Sequence, residues 1–345
     1  MFTERPDLSQ VDPAIVAYIE SLEAEIERLA GDKKAAAESL LETTEPPTTF
    51  NVITISRNGL AKRTPRHLYS RQRRGGMGIF DLESADDDPP LLLAVADVGE
   101  ELLLITTLGR VFKLPASRLP ELPVRARGQS LTGQLELKQG EKLALALPNR
   151  GGGYLNVITT TGQIRRLRHH FFGENMAQGN LIYDARALGA PAAACWSSGS
   201  GDVFIATRQG KAIRFAEDTI PFKGCLGIRL ADDDAIAGLC AVTEASGVFL
   251  LTADGKGTIR QMAGFSANKA PGAGGKVAIK AEDVVGAITI APGDDIFAIS
   301  RLSKIIRFTA DEVPPKEGVV QGVNCMALRA DETVALAAGR VANEG

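Results

Sequence analysis

The chain has 345 residues, 44% of them hydrophobic, with 36 Gly, 17 Pro and 4 Cys, so it can build its own core and a disulfide-stapled miniprotein is excluded. No apolar run of 18 or more residues and no basic leader with a cleavage site is present, which argues against a membrane span or a signal peptide and for a reducing compartment, the cytoplasm. The net charge of −3 argues against a strongly basic nucleic-acid binder, but residues 1–50 hold 4 Lys/Arg against 11 Asp/Glu, which leaves 35 cations and 31 anions, a balance of +4, for the rest.

The first element is a helix. Ile15, Ile19, Leu22, Ile26 and Leu29 are spaced 4, 3, 4, 3, a heptad seam with Asp12 as N-cap, Pro13 at the first helical position and Gly31 at the end. Two heptads make a marginal coiled coil, so the seam is expected to self-associate weakly or to dock on the rest of the chain. Residues 33–41 read as a second short helix and residues 43–49 as a Thr/Pro linker. The expected organisation is therefore a helical segment and linker over 1–47, a repeat domain over 48–338 and a loose tail over 339–345.

The repeat is a short apolar run ending in Thr or Ser, two residues, a Gly, and a returning strand. Six copies place the turn at Gly59, Gly109, Gly162, Gly210, Gly255 and Ser303, at periods of 50, 53, 48, 45 and 48 residues. These are blade-length periods, too long for ankyrin or leucine-rich repeats, and each copy reads as a tight hairpin. The expected fold class is all-β, a six-bladed propeller-like array preceded by the short helical segment. Returning strands carry a cation four residues after the turn position at Arg63, Lys113, Arg166, Arg214 and Arg307, and one residue later at Arg260. One charge per blade at an equivalent position predicts a ring of phosphate contacts. The plainer alternative is that a strand's solvent face simply carries something polar.

Residues 72–78 read Gln-Arg-Arg-Gly-Gly-Met-Gly. Adjacent cations can contact successive phosphates, and glycines let backbone amides approach a nucleic acid. This heptapeptide, set in the first of six blade-length repeats, resembles the signature box of the C-terminal domain of DNA gyrase A and of its topoisomerase IV relative. The resemblance covers residues 48–338. It implies a six-bladed β-pinwheel, a propeller variant that exchanges strands between neighbouring blades, with a basic perimeter that bends DNA around itself and a box on the first blade needed for chiral wrapping. Carried over by position, that role falls on Gln72, Arg73, Arg74, Gly75, Gly76 and Gly78, with Lys62 and Arg63 on the same blade. Met77 stands where the family's usual form has Lys or Arg, so one phosphate contact is expected to be missing. Box-like stretches begin at Arg127, Lys223, Gly272 and Gly318; they keep the glycine turn and lose most of the charge, and are read as serving blade-to-blade geometry.

Catalysis is not expected of this chain. Tyr18, Tyr69, Tyr154 and Tyr183 have no winged-helix pattern or acidic metal cluster around them, and there is no Gly-x-x-x-x-Gly-Lys-Ser/Thr stretch. Tyr69 reads as a packing or base-stacking residue. His67, His169, His170, Cys195, Cys225, Cys240 and Cys325 show no metal-ligand spacing; the cysteines read as buried blade residues, and neither metal nor cofactor is expected. The expected function is binding, bending and wrapping of duplex DNA without strong sequence preference, in support of a separately encoded type II topoisomerase. The alternative is a propeller scaffold that engages gyrase or another protein without wrapping DNA.

Overall fold

The computed structural model describes residues 12, 15, 19, 45–150 and 152–339. The chain divides into two units, Met1–Pro46 and Pro47–Gly345. In the first, Ile15 and Ile19 are helical and Ile15 is 52% exposed; Leu22, Ile26 and Leu29 of the heptad seam lie outside the described residues, as do positions 340–345 of the tail.

The second unit is six β-sheets arranged around a ring. Each is built on one predicted hairpin: Phe50–Ser56 with Leu60–Pro65, Glu101–Thr106 with Arg110–Pro115, Tyr154–Thr159 with Gln163–Arg168, Asp202–Thr207 with Lys211–Ala216, Gly247–Thr252 with Lys256–Gln261, and Asp295–Ser300 with Lys304–Thr309. A third strand from the same repeat adds to each hairpin on the inner side. These inner strands, Pro90–Asp97, Leu143–Pro148, Pro191–Ser197, Ile236–Val242, Val284–Ile290 and Thr333–Gly339, neighbour one another in that order, and the last returns to the first. They line a central apolar channel through Leu91, Ala144, Ala192, Ala237, Val285 and Val334.

The Thr or Ser that closes each apolar run has a structural task. Ser56, Thr106, Thr159, Thr207, Thr252 and Ser300 are all buried, and five of the six inner-strand pairings carry their bulge at this residue. The hydroxyl also closes the hairpin turn by taking up the first amide of the returning strand: Ser56 Oγ accepts from Leu60 N at 2.9 Å and Ser300 Oγ from Lys304 N at 3.1 Å. Ser303, the one turn residue that is not glycine, adopts φ 63°, a conformation that costs an L-residue about 1 kcal/mol. Its side chain offsets this by accepting from Leu82 N at 2.8 Å.

The outermost strands are exchanged between blades. Gln129–Ser130 from the second repeat joins the first blade, Asn180–Leu181 the second, Cys225–Leu226 the third, Lys276–Val277 the fourth and Val323–Asn324 the fifth. Ile79–Phe80 of the first repeat joins the sixth blade, pairing with Ile305 and Lys304, and so ties the ends of the array together. This is the closed, strand-exchanged six-bladed architecture expected from the repeat and the family resemblance.

Candidate nucleic-acid interface

Four of the six recurrent cations reach into the next repeat. Side chains at i and i+2 of a strand share a face, so the cation lies beside the first residue of the partner strand. In the fourth blade Arg214 Nε donates to Asp202 at 2.6 Å, and Nη1 donates to the carbonyls of Met262 and Phe265 at 2.8 and 3.1 Å. In the sixth, Arg307 pairs with Asp295 at 2.5 Å and donates to the carbonyls of Arg66 and Tyr69 at 3.1 and 2.9 Å. Lys113 donates to Gly173 O at 2.8 Å beside Glu101, while Arg63 donates to Leu119 O at 3.0 Å, to Asn51 Oδ1 at 3.2 Å and to Glu121. All four clamp the short 3-10 turn of the next repeat, Ala116–Arg118, His169–Phe172, Met262–Gly264 or Arg66–Leu68. Arg214 and Arg307 are 5% and 1% exposed. Of the six residues expected to form a ring of phosphate contacts, Arg63, Lys113, Arg214 and Arg307 are thus interblade clamps in the free protein, because the flank that is open in a lone hairpin is covered by the next blade.

Arg260 departs from this pattern. A one-residue shift along a strand turns a side chain to the other face. In register, Ile259 stands opposite Phe249 as Arg214 stands opposite Phe204, and Gly247 takes the place of the acid. Arg260 is 5% exposed, donates to Gly264 O at 3.0 Å and lies 5.5 Å from the Phe265 ring centroid. Burial lowers its pKa, opposed by Glu317. Lys62 is fully buried: its ammonium lies 2.8 Å from Asp81 and donates to the carbonyls of Asp81 and Pro123 at 3.0 Å. Asp81 also accepts from Tyr69 at 2.6 Å and Thr54 at 2.7 Å. Burial lowers the Lys62 pKa against the pull of Asp81, and burial with Asp81 raises that of Tyr69. Neither Lys62 nor Tyr69 is presented to a nucleic acid; Tyr69 is a packing residue.

The heptapeptide at 72–78 lies in the first repeat, yet its contacts run to the sixth. Gln72 N donates to Arg307 O at 2.7 Å, Gly75 N to Cys325 O at 2.8 Å, and Ala327 N to Gly76 O at 2.9 Å. Arg74 Nε donates to Glu312 O at 2.7 Å and Nη1 to Asn324 O at 3.1 Å, so this cation holds the ring closed. The Gln72 side chain turns back to accept from Gly78 N at 3.2 Å. Gly78, at φ 69°, lies so close to the sixth blade that a Cβ would meet Ile305 O at 2.7 Å. The same approach recurs at Gly128, Gly224, Gly275 and Gly322 against Ala61, Ile164, Ala212 and Gly257, which explains the glycines of the box-like stretches. Arg73 and Met77 remain exposed.

The third blade keeps its charge free. The residue facing its recurrent cation is Tyr154 rather than a carboxylate, and Arg166 lies 4.5 Å from that ring centroid. Arg168 lies on the same face of the returning strand as Arg166, Arg165 turns to the other face with its Nε buried, and Lys223 stands just before Cys225–Leu226, which pairs with Gln163 and Ile164. Among the described residues, these four cations form no ion pair, whereas Arg63, Lys113, Arg214 and Arg307 all do. Arg165, Arg168 and Lys223 were not among the candidate contacts of the sequence analysis. The signal was the acid-free run Arg165-Arg166-Leu167-Arg168-His169-His170, the densest basic stretch of the repeats.

Among the described residues, no group of three or more His, Cys, Asp or Glu is placed to hold a metal ion, and no helix is long and apolar enough to cross a membrane. The four cysteines are free; Cys240 and Cys325 are buried, with burial pushing each thiol up to about 12, while Cys195 and Cys225 are half-buried.

Comparison with known proteins converges on one family. The description "DNA gyrase C-terminal domain, beta-propeller" matches residues 51–86, 100–149, 201–239 and 294–338. The DNA gyrase A protein of Haloquadratum walsbyi is 28% identical over 305 residues, 82% of this chain and 35% of that protein. That of Mycobacterium tuberculosis is 28% identical over 309 residues, 85% of this chain and 36% of that protein. The chain thus spans about a third of these curated relatives. Among solved structures, a DNA gyrase A C-terminal domain matches with TM-score 0.71 at 20% identity, covering 84% of this chain and 99% of the other. A topoisomerase IV C-terminal domain matches with TM-score 0.57 at 18% identity over 84% and 93%. The match is to the accessory C-terminal region of gyrase A, not to its catalytic region, and with strand exchange, ring closure and the box all in place, this chain belongs to the DNA gyrase A C-terminal domain family.

Proposed function

We propose that the pinwheel binds duplex DNA along its outer edge, bends it without strong sequence preference, and so supports topological change by a separately encoded type II topoisomerase, acting in the cytoplasm and without enzymatic activity of its own. The observation that carries this reading is the cluster of unpaired cations on the third blade, Arg165, Arg166, Arg168 and Lys223, in a chain of a gyrase-related family. Cations with no internal partner bind phosphates without giving up an existing ion pair, and backbone contacts carry no sequence information. Arg73, exposed on the box, is the second contact region, while Gln72, Arg74, Gly75, Gly76 and Gly78 act by holding the turn that presents it.

The test is a topology assay. Nicked circular plasmid is incubated with the chain at low salt, sealed with ligase, and examined for trapped linking difference. Supercoils trapped by the wild type and lost in an Arg73→Ala variant support box-dependent wrapping, and binding without a linking change reduces the role to bending. The scaffold reading is favoured by one observation, the internal use of most recurrent cations, and absence of DNA binding at low salt would establish it over the DNA reading.

A further inference from the structure

Phe222 is 89% exposed, the most exposed large apolar side chain among the described residues. A single exposed apolar residue is ordinary on a protein surface, so exposure alone carries nothing. Its mounting and its neighbours set it apart. The turn at 221–224 is closed by Gly224 N donating to Pro221 O at 2.8 Å. Gly224, at φ 82°, is pressed against the returning strand of the third blade, where a Cβ would stand 2.6 Å from Ile164 O and 2.7 Å from Arg165 Cγ. The chain then enters the exchanged strand Cys225–Leu226. Proline at the start, glycine at the end and a ladder beyond leave this turn little freedom. The box also turns before its exchanged strand, with Gly76 N donating to Arg73 O at 3.1 Å two residues ahead of the position equivalent to 221–224, and leads to Ile79–Phe80. Counting back from the glycine before each exchanged strand, Lys223 aligns with Met77 and Phe222 with Gly76.

Phe222 therefore stands on a constrained turn at the outer edge of the blade whose recurrent cation meets a tyrosine instead of a carboxylate. Lys223 is adjacent in sequence and exposed, and Arg165, Arg166 and Arg168 are on the strand the turn rests against. The exposed acid of the same segment is Asp218; Glu217 is buried and bonded to Ser197 and Asn156. A flat apolar ring next to Lys223, on the blade that carries Arg165, Arg166 and Arg168, faces a duplex whose phosphates those cations attract. Apolar side chains so placed insert between base steps, unstack them and kink the helix, which lowers the cost of wrapping DNA on a tightly curved surface.

We propose that Phe222 is a DNA-kinking wedge, with Arg165, Arg166, Arg168 and Lys223 seating the phosphates on either side of the step it opens. This rests on the DNA-binding reading above, and the experiment separates the two. An alternating A·T duplex of about 30 base pairs, long enough to span a bent site, is titrated with the full chain at low salt. Binding is followed by fluorescence anisotropy and base unstacking by permanganate oxidation of thymines at saturating protein. The wild type is expected to raise thymine reactivity several-fold. Phe222→Ala should return it to the free-duplex level while weakening binding by about tenfold, the scale of one lost aromatic–base contact. Phe222→Trp should keep it. Lys223→Ala should weaken binding and flatten its salt dependence yet leave reactivity at saturation unchanged. Phe222 is exposed, so its replacement should not move Tm, which is measured alongside. Normal binding and reactivity in Phe222→Ala overturns the wedge and leaves DNA binding standing, as does normal DNA behaviour with lost binding to a topoisomerase, which would make Phe222 a protein contact. No binding by the wild type overturns both readings.

Discussion

Arg166 and Tyr154 face each other across the third blade with the guanidinium carbon 4.5 Å from the ring centroid, at the position where Arg214 meets Asp202 and Arg307 meets Asp295. The same hairpin geometry thus supports two outcomes. With a carboxylate opposite, the cation is neutralised and becomes a clamp; with a tyrosine, it is held in place and keeps its field.

Tyr154→Asp is therefore expected to convert the third blade to the common pattern. Neutralising Arg166 should weaken DNA binding and reduce the slope of log K against log salt by about 0.9, the share of one phosphate contact. Anisotropy titrations at several salt concentrations measure this, and an unchanged slope would remove Arg166 from the contact set.

Arg214→Ala and Arg307→Ala should act on stability. Each strips two backbone carbonyls of their donor; Arg214→Ala also leaves the part-exposed Asp202 unpaired, and Arg307→Ala leaves the buried Asp295 with Arg71 as its remaining partner, a loss of about 2–4 kcal/mol. Denaturant titration should show a lower midpoint for both, and a stability within about 1 kcal/mol of wild type would contradict the clamp assignment.

The two arginines of the box should separate. Arg73→Ala is expected to reduce trapped supercoiling with no change in Tm, because Arg73 is exposed. Arg74→Ala should lower Tm and loosen the junction of first and last repeats, since its bonds end on Glu312 and Asn324. Hydrogen exchange over residues 72–80 and 305–327 reports that loosening, and equal effects of the two variants would count against this division of labour.

Glu141 gives an acid-side prediction. Burial alone would raise its pKa, but bonds from Lys138 N, Thr106 Oγ1 and Arg110 hold it below the ordinary value. A carboxylate depressed in the folded state stabilises above its unfolded pKa, and that contribution is lost as pH falls through the lower folded value. Tm should fall through this acid window in the wild type and fall less steeply in Glu141→Gln, and parallel profiles would show that the group is not coupled to folding.

Much of this protein is determined locally. The six hairpins, their turns at Gly59 through Ser303 and the buried Ser or Thr before each turn are readable because strand alternation, bulge and turn chemistry act within a few residues. The one-residue offset of Arg260 was equally readable as a change of face. Where charges end up was not. Lys62 meets Asp81 and Pro123, Arg214 meets Met262, and Arg307 meets Tyr69, over separations of 19, 61, 48 and 238 residues. Only the packing of neighbouring blades, and for Arg307 the closure of the ring, brings these groups together. The sequence by itself determined that each blade carries a cation; the tertiary structure decided which cations are neutralised and which face solvent, because the field of a charge depends on partners that a linear chain does not place beside it.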